Sequence, residues 1–256
     1  MTRTNPSSAT ASPAASSTDF PAPDGLCAIH QPNLFPRLTT LAELFAADYW
    51  IVLDDVQFTH RDYQHRTRLA ALAHPDRSQW LTIPTHLPEG RKTAINRALV
   101  VDPELSRRKT MGMLRQNYGA SPHWPTLAHA MEPVADAFGS GRTAAVAETS
   151  TRVLLDLLGR RGQILRSSGL SARPGRSRRL ADLAALTGAR SYLCGTGGMR
   201  YLRTSRFTAR SITVTPFLAP PTGIWTSGRE ISAIWALMAL GPVTLTNELR
   251  AVTLRL

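Results

Sequence analysis

The sequence predicts an α/β protein: one domain over 25–256, with a mostly parallel sheet flanked by helices and a ligand site at the carboxyl edge of the strands. Three observations predict it. Apolar strand-like runs alternate with helical patterns along the chain. Two of the runs, Leu26-Cys27-Ala28-Ile29 and Tyr49-Trp50-Ile51-Val52-Leu53, are separated by one loop and one short helix. Such a βαβ unit pairs its strands in parallel. Three runs also end in polar or glycine-rich segments, as the carboxyl edge of an open α/β sheet requires.

Residues 1–24 are rich in Ser, Thr, Ala and Pro, and lack both the apolar core of a signal peptide and aromatics to pack. They read as a disordered leader outside the fold. The first strand follows at Leu26, then the loop His30-Gln31-Pro32-Asn33-Leu34-Phe35-Pro36, where two prolines forbid helix. Thr39 or Thr40 can cap a helix to about Ala47, with Glu43 in its first turn. Trp80-Leu81-Thr82-Ile83-Pro84 reads as a strand. Asp102-Pro103-Glu104 is a helix start, with Asp as cap, for a helix to about Tyr118. A further helix covers 143–158, and 160–179 is a basic Gly/Ser-rich stretch with Ser177 as the next helix cap. The strand Ser191-Tyr192-Leu193-Cys194 runs directly into Gly195-Thr196-Gly197-Gly198, and Ile212–Thr215 is a further strand. Arg229–Leu240 is an amphipathic helix stopped by Gly241-Pro242.

Composition bounds the function. No apolar run approaches the roughly 18–20 residues of a membrane span, so an integral membrane segment is excluded. Cys27 and Cys194 alone exclude a disulfide scaffold and a four-cysteine zinc site, and suit a reducing, cytoplasmic setting. Lys+Arg is 30 against Asp+Glu 18, a net charge of +12 that attracts anions: nucleotides, phosphorylated sugars, tRNA or acidic surfaces. The five Trp and five Tyr do not interleave with a basic stripe along the sequence.

The chemistry gathers at three strand ends. His30, after the first strand, can act as base or acid or bind phosphate, or simply hydrogen-bond its loop. Asp54-Asp55, after the second, can hold Mg²⁺ beside a nucleotide or share a proton; alternation along the chain turns only one of them to the site. Gln57 can share the direction of Asp55. Gly195-Thr196-Gly197-Gly198 can wrap a phosphate with backbone N–H groups, or serve as a tight turn. Cys194 beside it is a nucleophile only if a partner stabilises its thiolate. His60 and His65 read as surface residues. His74, His86, His123 and His129 show no metal-ligand spacing.

Several motifs together resemble those of the WbqC-like protein family: Ile29-His30-Gln31-Pro32-Asn33, Leu53-Asp54-Asp55-Val56-Gln57-Phe58, Trp80-Leu81-Thr82-Ile83-Pro84, Gln116-Asn117-Tyr118 and Tyr192–Gly198. The likeness runs from about Ala28 to Val243. It departs at Arg37, where the family usually has a nearby aromatic, and at Cys194, where it commonly has serine. The resemblance implies a cytoplasmic enzyme of surface-glycan or secondary-metabolite biosynthesis, and a glycine-transferase role is suggested for some members. No catalytic assignment carries over from the family; from their places at the strand ends, His30, Asp54 and Asp55 are the candidate catalytic residues. Gln31, Asn33, Gln57, Trp80 and Gly195, Thr196, Gly197 and Gly198 are the candidate substrate contacts. The expected activity is an acyl or aminoacyl transfer, or amide formation, on an anionic, phosphate-bearing substrate such as a nucleotide-sugar or an aminoacyl-tRNA. The alternatives are a noncatalytic scaffold of a glycan-assembly complex, and an RNA-binding protein with the arginines of 160–179 and 200–210 on one face.

Overall fold

A computed structural model describes residues 25–255, so the reading of 1–24 as a leader lies outside the described residues. In chain order the strands are β1 (Leu26–His30), β2 (Tyr49–Val52), β3 (Arg66–Ala70), β4 (Ser78–Thr82), β5 (Thr85–His86), β6 (Leu99–Val100), β7 (Gln163–Arg166), β8 (Ser191–Gly195) and β9 (Thr213–Phe217). The helices are α1 (Leu38–Ala46), α2 (Pro103–Tyr118), α3 (Trp124–Ala130), α4 (Glu132–Ala137), α5 (Thr143–Leu157), α6 (Arg176–Leu186), α7 (Thr196–Met199), α8 (Ser205–Thr208), α9 (Ile224–Gly228) and α10 (Ala233–Thr253).

Five strands form one parallel sheet in the order β7-β2-β1-β8-β9. From β1 the chain builds outward through β2 to β7, then returns to lay β8 and β9 on the other side. This is the doubly wound order, and it puts a topological switch point between β1 and β8. Side chains alternate across the sheet, and both faces are buried. Ala28, Trp50, Val52 and Leu193 face a core shared with α1, α5 and α10. Cys27, Ile29, Tyr49, Ile51, Tyr192 and Cys194 face a second core under α6 and α8.

The α2 start is as read: Asp102 Oδ1 accepts from Leu105 N at 2.9 Å. Other boundaries differ. α1 begins at Leu38 with no side-chain cap, and Glu43 lies beyond its first turn. α6 follows Gly175 rather than a Ser177 cap. Part of the 160–179 stretch is β7, the outer strand beside β2. Gly241-Pro242 kinks α10 instead of ending it: Gly241 takes φ 78, and the helix continues to Thr253. A side chain at Gly241 would come within 2.6 Å of the His123 ring, so the kink suits glycine twice over. The Trp80 strand is present, but as β4 in an antiparallel hairpin with β3, outside the parallel sheet. Among the described residues, no helix is long and apolar enough to cross a membrane.

One basic side chain fastens the start of β7 to the sheet. Arg160 Nε donates to Leu44 O at 2.7 Å, and its other nitrogens reach Gly162 O at 2.8 Å and Ala47 O at 2.9 Å. It thereby satisfies carbonyls at the end of α1 that have no partner within the helix. Burial pulls the Arg160 pKa down to about 10, against the opposing pull of Asp48 and Asp156.

Candidate functional site

A cavity of about 780 Å³ opens at the carboxyl edge of the sheet, over the switch point. His30 ends β1 on one side of that point and Gly195 ends β8 on the other. Gln31, Asn33 and Gln57 line it with His30, as do Thr196, Gly197 and Gly198 with Gly195. Four arginines also line it: Arg37, Arg176, Arg179 and Arg229. Against them stand the carboxylates of Glu43 and Asp62.

The loop that carries His30 is bolted down. Leu34 N donates to Tyr63 O at 2.8 Å and Phe35 N to the Ser150 hydroxyl at 2.8 Å. The hydroxyl of Thr151 donates to Asn33 O, and that of Thr67 to Phe35 O. These bonds hold Phe35 at φ 42, a left-handed conformation unfavourable for a side chain with a Cβ. The loop is therefore set before any ligand arrives.

Glu43 is the group that the sequence did not mark. It is almost fully buried, and its Oε1 lies 2.9 Å from His30 Nε2. The imidazole must present an N–H there, which leaves Nδ1 as the nitrogen free to take a proton. Burial pulls the His30 pKa down, but the charge and hydrogen bond of Glu43 outweigh it, so the net shift is upward. Arg37 opposes that shift and Asp62 adds to it. The carboxylate that tunes His30 thus comes from α1, not from the end of β2.

Neither Asp54 nor Asp55 lines the cavity. Asp54 is buried; its Oδ1 accepts from Ser168 N at 3.0 Å and its Oδ2 from the Ser168 hydroxyl at 2.7 Å. The Ser167 hydroxyl lies 3.1 Å from Asp54 Oδ1 and 2.5 Å from Asp55 Oδ1. Asp55 also pairs with Arg179, and so touches the cavity through that guanidinium. The pair ties the end of β2 to the end of β7. Its oxygens are occupied by hydroxyls, an amide and a guanidinium, so it fits Mg²⁺ poorly. No group of three or more His, Cys, Asp or Glu among the described residues is arranged to hold a metal.

The three glycines at and after the end of β8 differ in what they do. A Cβ on Gly195 would lie 2.9 Å from Glu43 Oε2, and one on Gly198 would lie 2.5 Å from the Cys194 sulfur. Packing beneath the loop therefore explains both. A Cβ on Gly197 would meet nothing within 4 Å, and Gly197 has no positive φ. Its bare backbone lies on the cavity wall in α7, where glycine costs stability relative to alanine. Gly197→Val is thus expected to leave the thermal midpoint nearly unchanged while weakening pyrophosphate binding at least tenfold by calorimetry. Equal affinity would make the loop a turn and nothing more.

Two cysteine and histidine readings are also resolved. Burial, reinforced by Glu43, pushes the Cys194 thiol up to about 11, so it is a neutral thiol at pH 7 rather than a nucleophile. His65 is not a surface residue: it is buried, with its ring 5.2 Å from that of Phe58, and burial lowers its pKa to about 4. Trp80 lies outside the cavity, 39% exposed on the β3–β4 hairpin. Four arginines of 160–179 are engaged within the fold, while Arg161, Arg176 and Arg178 are exposed. Arg160 turns inward, Arg166 pairs with Glu148, Arg173 with Asp182, and Arg179 with Asp55.

The chain is 25% identical over 190 residues to an uncharacterized protein of Mycobacterium tuberculosis, Rv1507c, covering 74% of this chain and 80% of that protein. No solved structure matches. The family model of the WbqC-like proteins matches residues 31–222, from the loop directly after His30 to beyond β9. That span takes in most of the cavity lining, but not Ile29, His30 or Arg229, and the chain belongs to the WbqC-like protein family.

Proposed function

We propose that this protein is a transferase or ligase that joins an acyl or aminoacyl group to an amine of a phosphate-bearing small molecule, such as a nucleotide-sugar. The setting is surface-glycan or secondary-metabolite biosynthesis. The observation that carries the reading is the buried Glu43 carboxylate, 2.9 Å from His30 Nε2, at the wall of an arginine-rich cavity. Burying a carboxylate is costly unless it is paired, and here its partner is a group able to move a proton. In a scaffold protein the same pair would serve only to brace β1 against α1, which the loss of product in His30→Gln distinguishes.

The steps follow from the geometry. The substrate phosphate sits against Gly197 and the arginines, where backbone N–H groups and guanidinium forks favour it. The amine attacks the acyl carbon, and a C–N bond forms. The amine proton passes to His30 Nδ1, while Glu43 steadies the imidazolium through Nε2. The bond from the acyl carbon to its leaving group then breaks, and the departing group takes the proton back from His30. Asp55 acts as a positioning residue by fixing Arg179. Asp54 holds the β2 and β7 ends in place.

The test begins with protein purified from its own host and native mass spectrometry of whatever it retains. The retained compound, isotope-labelled glycine and ATP are then incubated with the protein, and amide products are sought by mass. A phosphate-bearing ligand, with an amide product that disappears in His30→Gln, is the expected result. If the retained ligand carries no anionic group, or product forms equally with His30→Gln, the reading fails.

A further inference from the structure

Along the sequence the aromatic residues do not interleave with a basic stripe; in space, two rings and three guanidiniums pack together. Arg66 and Arg68 lie on one face of β3, and Trp80 of β4 pairs in register with Arg68 on that same face. The Arg66 guanidinium carbon is 4.5 Å from the Trp80 ring centroid and that of Arg68 is 4.9 Å away. The Tyr63 ring lies 6.1 Å from that of Trp80, and Arg37 stacks over Tyr63 at 4.5 Å. Arg37 and Tyr63 line the cavity. The contacts therefore run unbroken from Arg37 to Tyr63 to Trp80, which carries both Arg66 and Arg68, from the cavity wall out onto the hairpin.

The series is held in place. Arg66 donates to Asp62 O at 3.3 Å and Arg61 O at 2.7 Å, Arg68 to Glu230 Oε2 at 3.0 Å, and Arg37 to Arg229 O at 3.3 Å. Each anchor fixes a guanidinium plane against a ring, so little side-chain freedom remains to be lost on binding. Cross-strand packing alone needs none of this charge; Arg68 has Glu230 as its counter-ion, while Arg66 and Arg37 are held by backbone carbonyls.

We infer that this series is a track for single-stranded nucleic acid whose terminal nucleotide enters the cavity. Unpaired bases stack on aromatic rings and on guanidinium planes, while the same guanidiniums neutralise phosphates. A duplex keeps its bases stacked on one another and cannot use the rings. The net charge of +12 draws a polyanion to this surface, and Trp80 offers its exposed part to the first base outside the cavity. That such a strand delivers the acyl group rests on the transfer reading above; that it binds does not.

The test is fluorescence anisotropy of the full chain with a short labelled oligocytidylate, a duplex of the same length, and inorganic polyphosphate as competitor. The single strand should bind more tightly than the duplex and resist displacement by polyphosphate. The logarithm of its binding constant should fall with that of salt concentration with a slope of about −2, from three arginines at ~0.7 each. Trp80→Ala should weaken binding about tenfold and Trp80→Phe should restore most of it. Arg66→Ala should weaken binding and flatten the salt slope, whereas Arg152→Ala, exposed on α5, should change neither. Equal binding of strand and duplex, or displacement by polyphosphate as efficient as by oligonucleotide, would overturn the inference. So would a Trp80→Ala protein that loses thermal stability but no affinity, since the series would then only brace the hairpin. Strand binding without any amide product would overturn the transfer reading alone. Amide product with no strand binding would overturn the track alone.

Discussion

His30→Gln is expected to lower the rate of amide formation by about 10²- to 10⁴-fold, the usual contribution of a positioned general base, while leaving pyrophosphate affinity within a factor of two or so. Glutamine keeps a hydrogen-bonding group beside Glu43 but cannot carry the proton. Glu43→Gln separates tuning from presence. Without the carboxylate, burial and Arg37 remain to depress the His30 pKa, with Asp62 alone opposing them. On the proposed reading the base works when neutral, so wild-type activity should rise with pH only as His30 passes through its raised pKa, above the ordinary 6.5. In Glu43→Gln that acidic limb should move to lower pH while the plateau falls. The sign for stability is the reverse. A raised His30 pKa stabilises the fold below pH 6.5, and that contribution is lost as pH climbs through the folded value. An NMR titration of the His30 ring, which needs no substrate, reads the same shift. A Glu43→Gln protein with an unmoved His30 titration would remove Glu43 from the mechanism.

Gly162→Val should cost about 3 kcal/mol or more of stability, a thermal-midpoint drop of roughly 6–12 °C. Its Cβ would lie 2.4 Å from the Arg160 Nη2, 2.5 Å from Asp48 O and 2.7 Å from Ala47 O. Two of those neighbours are backbone atoms between α1 and β2, so relief would require moving the strand itself. The carbonyls that Arg160 satisfies would be exposed to the same displacement. Gly112→Ala is the matched opposite. Gly112 lies inside α2 with nothing within 4 Å of a would-be Cβ, and the change should stabilise by up to about 1 kcal/mol. Differential scanning calorimetry of both variants checks the pair; equal midpoints would mean that the chain around Gly162 yields.

What the sequence made legible was local. The β-branched and aromatic run of β2, the Asp102-Pro103 cap and the glycines after β8 each announce an element within a few residues. Parallel pairing of β1 and β2 follows from the short crossover. Glu43 was invisible as a site residue because nothing in its own helix distinguishes it from a solvated acid; its meaning comes from His30 and Gly195, which only the folded sheet places beside it. Asp54 and Asp55 carried a strong local signal, yet the residues that occupy them, Ser167, Ser168 and Arg179, lie more than a hundred positions away. β7 was hidden because its four residues, Gln163–Arg166, are only half apolar and sit among arginines and glycines. Gly241-Pro242 read as a stop because the pair breaks the helical hydrogen-bond ladder; the chain nevertheless resumes the helix beyond the kink.

The switch point draws one wall of the cavity from Ile29–Tyr63 and the other from Arg176–Arg229, and no shorter stretch encloses it. A ligand bound there clasps two distant parts of the chain, and its binding energy opposes global unfolding. At a hundredfold excess over its dissociation constant, a ligand adds about 2.7 kcal/mol to the unfolding free energy. In a cell, unfolded chains are continually removed by proteases, so a difference of that size changes abundance several-fold. The steady-state level of this protein should therefore follow the supply of its ligand: starvation for that ligand would shorten the lifetime of the protein without any change in its synthesis.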